Sequence, residues 1–76
     1  MKKTFTINIS GIIFHIDEDA YEVLSKYLNE INRKFASSEE GREIMADIEA
    51  RIAELFQEKV NDIKQVITID DVNAVI

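Results

Sequence analysis

The chain contains no cysteine, no proline and no tryptophan, and its only glycines are Gly11 and Gly41. The absence of cysteine excludes a disulfide framework, a thiol nucleophile and a thiolate metal site. No apolar run is longer than that of Ile12–Phe14, far short of the roughly 20 residues that a membrane-spanning helix needs. Basic residues are also scarce, at 9 against 15 acidic ones, so the chain lacks the positive surface that non-specific nucleic-acid binding requires.

The residues that are present are those of one small globular domain. Of the 76 residues, 46% are apolar and 32% are charged, and the net charge is −6. This balance is ordinary for a folded domain, so residues 1–76 are interpreted as a single domain. A chain of this length buries only roughly 60% of the surface that it exposes when unfolded, and we therefore expect marginal stability.

Two segments in which apolar and polar residues alternate predict a β-hairpin. Residues 4–9 and 12–16 have a period of two, which is typical of half-buried strands. Ser10 and Gly11 lie between them and predict a two-residue turn in which the glycine takes a positive φ. In this register the residue numbers of each opposed pair add up to 21. Six apolar residues then lie on one face, which is the expected core face: Phe5, Ile7, Ile9, Ile12, Phe14 and Ile16.

A long helix is predicted directly after the hairpin, from about residue 18 to residue 35. Asp17 is a favourable N-cap, and the negative charges of Glu18 and Asp19 suit the positive end of the helix dipole. The apolar residues recur at spacings of three and four and form one stripe: Ala20, Leu24, Tyr27, Leu28, Ile31 and Phe35.

A second helix is predicted at about residues 39–60. Ser37, with Glu40 three residues later, has the spacing of a capping box, whereas Gly41 weakens the first turn by up to about 1 kcal/mol relative to alanine. Because the connection is short, the two helices are expected to pack antiparallel. The apolar stripe of the second helix contains Ile44, Ile48, Ile52, Leu55 and Phe56. Three further apolar residues lie off the main stripes: Tyr21, Val23 and Met45.

The C-terminal part predicts a short strand and a short helix. β-Branched residues favour a third strand at about 65–69, and Thr68 is expected to cap a helix at 69–76 with Asp71 as the capping-box partner. The predicted fold class is therefore α+β, with a hairpin and a third strand packed on an antiparallel helix pair. Because the chain ends on the apolar, uncapped Ile76, we expect it to be the N-terminal part of a longer protein.

The sequence contains no arrangement of residues that indicates catalysis. His15 is the only imidazole and has no serine or cysteine partner in a recognisable motif. The acidic runs Asp17–Asp19 and Asp70–Asp71 lack the ligand spacing of a calcium loop and stand where helix starts favour negative charge. We expect a protein that is not an enzyme, with no catalytic residues, metal site or cofactor.

Two surfaces are candidates for contacts with another protein. The first is the outer face of the hairpin, and the second is an exposed face of the second helix. On that helix Asp47 and Arg51 are four residues apart and are expected to form an ion pair. The alternative for this helix is a solvated face with no partner. The candidate interaction residues are Thr6, Asn8, Ile13, His15, Asp47 and Arg51.

Three stretches cover much of the chain in a consistent order: Met1–Tyr21, Asp47–Phe56 and Val66–Val72. Together they resemble the N-terminal domain of phage shock protein C (PspC) domain proteins from Bacteroidetes. The resemblance implies the N-terminal module of a larger membrane protein, whose PspC transmembrane region would follow residue 76. The chain itself contains no PspC region.

The function that the resemblance implies is regulatory. Proteins of this family are described as stress-responsive transcriptional regulators, and the namesake relays envelope stress through protein–protein contacts. A non-catalytic interaction or sensor module is thus expected on the cytoplasmic side of an inner-membrane protein, with no direct membrane insertion by this segment. Its partner would be another protein or the rest of its own chain. Two alternatives remain open, a DNA-binding regulator domain and a purely structural homodimerisation domain, although the acidic charge disfavours nucleic acid.

Overall fold

The elements follow one another in the order that the sequence predicts, and the fold is α+β. The computed structural model describes residues 3–76. Met1 and Lys2, which begin the stretch that resembles the PspC proteins, lie outside the described residues. The elements are β1 (Thr4–Ile9), β2 (Ile12–Asp17), α1 (Glu18–Phe35), α2 (Glu39–Lys59), β3 (Val66–Ile67) and α3 (Ile69–Val75).

The hairpin of β1 and β2 has the predicted register. The residue numbers of each opposed pair add up to 21 along the whole hairpin, and Ile9 and Ile12 form the last pair before the turn. The turn differs from the prediction because Ser10, with a φ of 53°, joins Gly11, with a φ of 83°, in the left-handed region. Two positive φ values are characteristic of the type I′ turn, whose twist matches that of the flanking strands. The side-chain oxygen of Asn8 accepts a hydrogen bond from the Gly11 N–H at 3.0 Å and holds this turn.

The third strand is shorter than predicted. β3 runs parallel to β2, opposite His15 and Ile16, and contains two residues instead of the predicted 65–69. The N–H of Thr68 donates to the carboxylate of Asp71 at 3.0 Å, so the helix cap removes this N–H from the strand ladder. β2 is therefore the middle strand of the sheet, with β1 on one side and β3 on the other.

α1 spans the predicted residues, but its first turn is held differently. Asp17 is at the N-cap position, yet its side chain makes no capping hydrogen bond. The Glu18 N–H instead donates to the backbone carbonyl of Lys3 at 2.8 Å. This bond satisfies one of the free N–H groups at the start of the helix and ties α1 to the beginning of β1.

α1 and α2 meet at Gly41, where the two backbones are in close contact. A Cβ atom at this position would lie 1.7 Å from the carbonyl oxygen of Phe35, so only glycine fits without a backbone shift. The predicted capping box of Ser37 and Glu40 is wrong. Ser38 is the N-cap, and its hydroxyl accepts from the Gly41 N–H at 2.9 Å. The residue that weakens the first turn is thus the one that lets the two helices approach.

The buried face of α2 is rotated relative to the prediction. Met45 is buried, whereas Ile44, a residue of the predicted apolar stripe, is 41% exposed. With Gly41 against the end of α1, the residues that follow it on the same side of the helix turn inward, including Ile52 and Phe56. The contact at Gly41 therefore decides which of two adjacent apolar residues enters the core.

The core lies between the sheet and the helices. The rings of Phe14 and Phe56 meet edge to face, with centroids 5.6 Å apart. Phe5 lies on the predicted core face but is 39% exposed, because it stands at the β1 edge against the ring of Tyr21, 5.2 Å away. The largest fully buried side chains are those of Phe56, Ile16, Leu24, Ile67 and Val72.

Candidate interaction surface

The structure places four of the candidate residues together on the outer face of the sheet. Thr6 lies opposite His15, and Asn8 lies opposite Ile13. All four are exposed, and Ile13 is 58% exposed although it lies on the middle strand. The Thr6 hydroxyl and the Nδ1 of His15 are hydrogen-bonded at 3.3 Å. These four residues therefore form one exposed, mostly polar patch, next to the Thr4–Asp17 pair on the same face.

Asp47 and Arg51 lie on a different surface, in a groove lined by residues of α1, α2 and α3. The predicted ion pair between them is wrong. The guanidinium of Arg51 instead lies 3.7 Å from the carboxylate of Glu54. The side chains of Arg51 and Glu54 are both about two-thirds exposed. Pairing Arg51 with Glu54 instead of Asp47 therefore changes the free energy of unfolding little. The six candidate residues thus form two separate surfaces.

The outer edge of β1 is a feature that the sequence analysis missed. In a two-residue hairpin the closing pair is hydrogen-bonded, and hydrogen-bonded pairs alternate along the ladder. Since Ile9 closes the hairpin, the N–H and C=O groups of Thr4, Thr6 and Asn8 point away from β2. β1 is an edge of the sheet in the part of the chain that the structure describes. The signal in the sequence is the absence of charge from Thr4 to Ile9.

A groove runs beside this edge, and we call it the β1 groove. It has a volume of about 490 Å³, and its apolar lining comes from β1, α1 and α2: Ile7, Ile9, Tyr21, Leu24, Leu28 and Met45. Amide and hydroxyl side chains, including Asn8 and Ser25, also line it, and among the described residues Glu49 is the charged one. The β1 groove and the polar groups of the β1 edge are therefore adjacent, and Phe5 and Tyr21 lie partly exposed next to both.

Asp71 is the only charged residue that is buried within residues 3–76. Its Oδ2 accepts hydrogen bonds from the Lys64 ammonium at 2.5 Å, the Thr68 N–H at 3.0 Å and the Thr68 hydroxyl at 3.1 Å. Burial alone would raise the pKa of Asp71, but these hydrogen bonds outweigh burial and hold the pKa below its ordinary value. Together with the 3.4 Å bond from the Asp71 N–H to the Thr68 hydroxyl, they confirm the predicted capping box of α3. The role of this cluster is structural.

Within residues 3–76, no three histidine, aspartate or glutamate side chains are grouped so that they could hold a metal ion. None of the helices in this part of the chain is both long and apolar enough to cross a membrane. Comparison with family models, with curated proteins and with solved structures finds no match for this chain.

Proposed function

We propose that this chain is a non-catalytic interaction module that binds a protein partner by adding one of the partner's extended segments to β1. The observation that carries the proposal is the uncharged edge of β1, because within the sheet formed by residues 3–76 the outward backbone groups of Thr4, Thr6 and Asn8 have no partner. The exposed rings of Phe5 and Tyr21 lie beside it.

Addition of a strand would use both the backbone groups of the β1 edge and the β1 groove beside it. The N–H and C=O groups of an edge strand pair with those of an incoming segment and provide affinity, and pockets for alternate side chains provide specificity. Because side chains of a strand alternate between its two faces, every second residue of an added strand would point toward the β1 groove. The groove has an apolar lining, so these residues should be apolar.

The family resemblance supports the same class of function. It implies a regulatory module on the cytoplasmic side of a PspC-type inner-membrane protein that acts through protein–protein contacts. Natural proteins commonly protect exposed edge strands with lysine, proline or a bulge. β1 contains none of these devices between Thr4 and Ile9. An unprotected edge favours a module whose edge is covered by a partner.

A peptide selection tests the proposal. Random peptides of about ten residues are displayed and selected against the immobilised chain, and binders are retested on Thr6→Pro. The Thr6 N–H faces away from β2, so proline removes an outward donor while the bonds within the hairpin remain. We expect extended peptides with alternating apolar residues, and a loss of affinity of at least about tenfold on Thr6→Pro.

The matched control is Ile13→Thr, which changes the outer face of the sheet but leaves the β1 edge intact. It should bind the selected peptides as the unmodified chain does. The proposal is contradicted if selection enriches no peptide, or if the enriched peptides bind Thr6→Pro as tightly as the unmodified chain.

A further inference from the structure

The β1 strand is complementary to itself. In a symmetric antiparallel pairing of two β1 strands, outward-facing residues must lie opposite outward-facing residues. The register centred on Thr6 satisfies this condition along the strand, because Thr6 meets Thr6 of the second copy and Thr4 meets Asn8. The outward N–H and C=O groups of both strands are then paired. No like charges are opposed, although each chain carries a net charge of −6.

The same register covers the exposed aromatic side chains. On the core face it places Phe5 of one copy opposite Ile7 of the other, and an aromatic residue beside a β-branched one is a favourable cross-strand pair. Phe5 and Tyr21, which are 39% and 38% exposed in the single chain, then lie at the centre of the interface. A second copy therefore buries the apolar residues that β1 leaves accessible.

α1 has charges that match those of a second α1. A two-fold axis perpendicular to the joined sheet places both α1 helices on the same side of the sheet, running antiparallel. α1 runs alongside β1, because Tyr21 contacts Phe5 and Ile7 lines the β1 groove together with Leu24 and Leu28. One strand residue spans about the length of two helical residues, so the level of Thr6 along β1 corresponds to the segment between Glu22 and Lys26. Glu22 and Lys26 are exposed and line one side of α1 together with Tyr21, the residue that contacts Phe5 at the β1 edge. In a dimer with this axis, Glu22 of each copy lies opposite Lys26 of the other.

From the strand register, the aromatic contacts and these charges we infer that the partner strand is β1 of a second copy. The homodimer has one continuous sheet, three strands from each chain, with the two β1 strands at its centre. The inference rests on the proposed function, since it names the occupant of the same edge. An isologous interface of this kind closes on itself and leaves no unpaired β1 edge for further growth.

Sedimentation equilibrium of the intact chain tests the inference over protein concentrations from about 1 μM to about 1 mM. The apparent mass should rise from 8.7 kDa toward twice this value. Thr6→Lys places two like charges opposite each other at the symmetry axis and should weaken association by at least about tenfold. Ile13→Lys adds the same charge to the same face away from the edge and should leave association unchanged. Circular dichroism checks that both variants fold.

A charge exchange keeps the test decisive if Thr6→Lys does not fold. Glu22→Lys or Lys26→Glu alone places like charges opposite each other and should weaken association. The double variant with both changes should restore association, because the symmetric contact is regenerated with its signs reversed. A simple loss of helix stability would not be repaired in this way.

The outcomes separate the inference from the proposed function. A constant mass of 8.7 kDa at all concentrations would overturn the homodimer. If selected peptides still bound the chain but not Thr6→Pro, the edge would take a strand from a different protein and the proposed function would stand. If neither self-association nor peptide binding were found, both would fail.

Discussion

The two edges of the sheet are built in opposite ways. β1 has six uncharged residues and ends in a tight turn, and the residues whose backbone groups point outward, Thr4, Thr6 and Asn8, are all exposed. β3 has two residues, and the Lys64–Asp71 ion pair and the cap of α3 join the segments that flank it. Short strands and charged side chains are devices that prevent pairing between proteins. The fold therefore protects the β3 edge of the sheet and leaves the β1 edge available for pairing.

The largest effect is expected at the closed edge, on replacing Asp71 with alanine. Asp71→Ala removes the acceptor for the Thr68 N–H and for the Lys64 ammonium and should lower the free energy of unfolding by about 2–3 kcal/mol. Urea denaturation at neutral pH measures this loss. Asp70→Ala is the matched control, since Asp70 is exposed in the same first turn and should cost less than about 1 kcal/mol. Equal losses in the two variants would show that the cluster does not hold this edge.

The same cluster makes the stability of the closed edge depend on pH. Because the pKa of Asp71 is lower in the folded chain, its contribution is fully present above the ordinary value of 3.8. The contribution is lost as the pH falls through the lowered pKa, since the unfolded chain takes up the proton first. Urea midpoints between pH 7 and pH 3 should therefore fall more steeply for the unmodified chain than for Asp71→Asn. Parallel pH profiles would contradict this role of Asp71.

At the open edge, a change in the hairpin turn should stabilise the chain. Ser10 has a φ of 53°, a region that asparagine tolerates better than serine, and Asn–Gly is a preferred pair in type I′ turns. Ser10→Asn should raise the free energy of unfolding by about 0.5–1 kcal/mol and the Tm by a few degrees. Ser10→Val should have the opposite effect, because a β-branched residue is strained at positive φ. A lower Tm for Ser10→Asn would show that the turn does not limit the stability of β1.

The smallest effect is expected in the loop before β3. Ile63 is 97% exposed, and the side chain of Asn61 holds the loop through the backbone N–H groups of Ile63 and Lys64. Ile63→Ser should therefore change the free energy of unfolding by less than about 0.5 kcal/mol. Its apparent mass in sedimentation should also match that of the unmodified chain. A drop in association would show that the β3 side of the molecule contributes to the interface.

Features that depend on neighbouring residues could be predicted from the sequence. The hairpin register follows from the alternation of apolar residues on either side of Ser10 and Gly11, and the start of α3 follows from the spacing of Thr68 and Asp71. Such patterns need no information about distant parts of the chain. The four residues of the outer sheet face were located in the same way.

Features that depend on distant contacts could not be predicted. α2 has apolar residues at both Ile44 and Met45, and the backbone contact between Gly41 and Phe35 decides which one is buried. The open edge of β1 likewise depends on the distant β3 (Val66–Ile67) pairing with β2 and not with β1. Periodicity within a segment carries no information about either choice.

Hydrogen exchange at the backbone of β1 tests the central claim most directly. At about 1 mM protein, the outward-facing amides of Thr6 and Asn8 should be protected nearly as well as the inward-facing amide of Ile7. At about 10 μM they should exchange faster, while the protection of Ile7 stays the same. Rapid exchange of Thr6 and Asn8 at both concentrations would contradict the account, because the β1 edge would then remain unpaired.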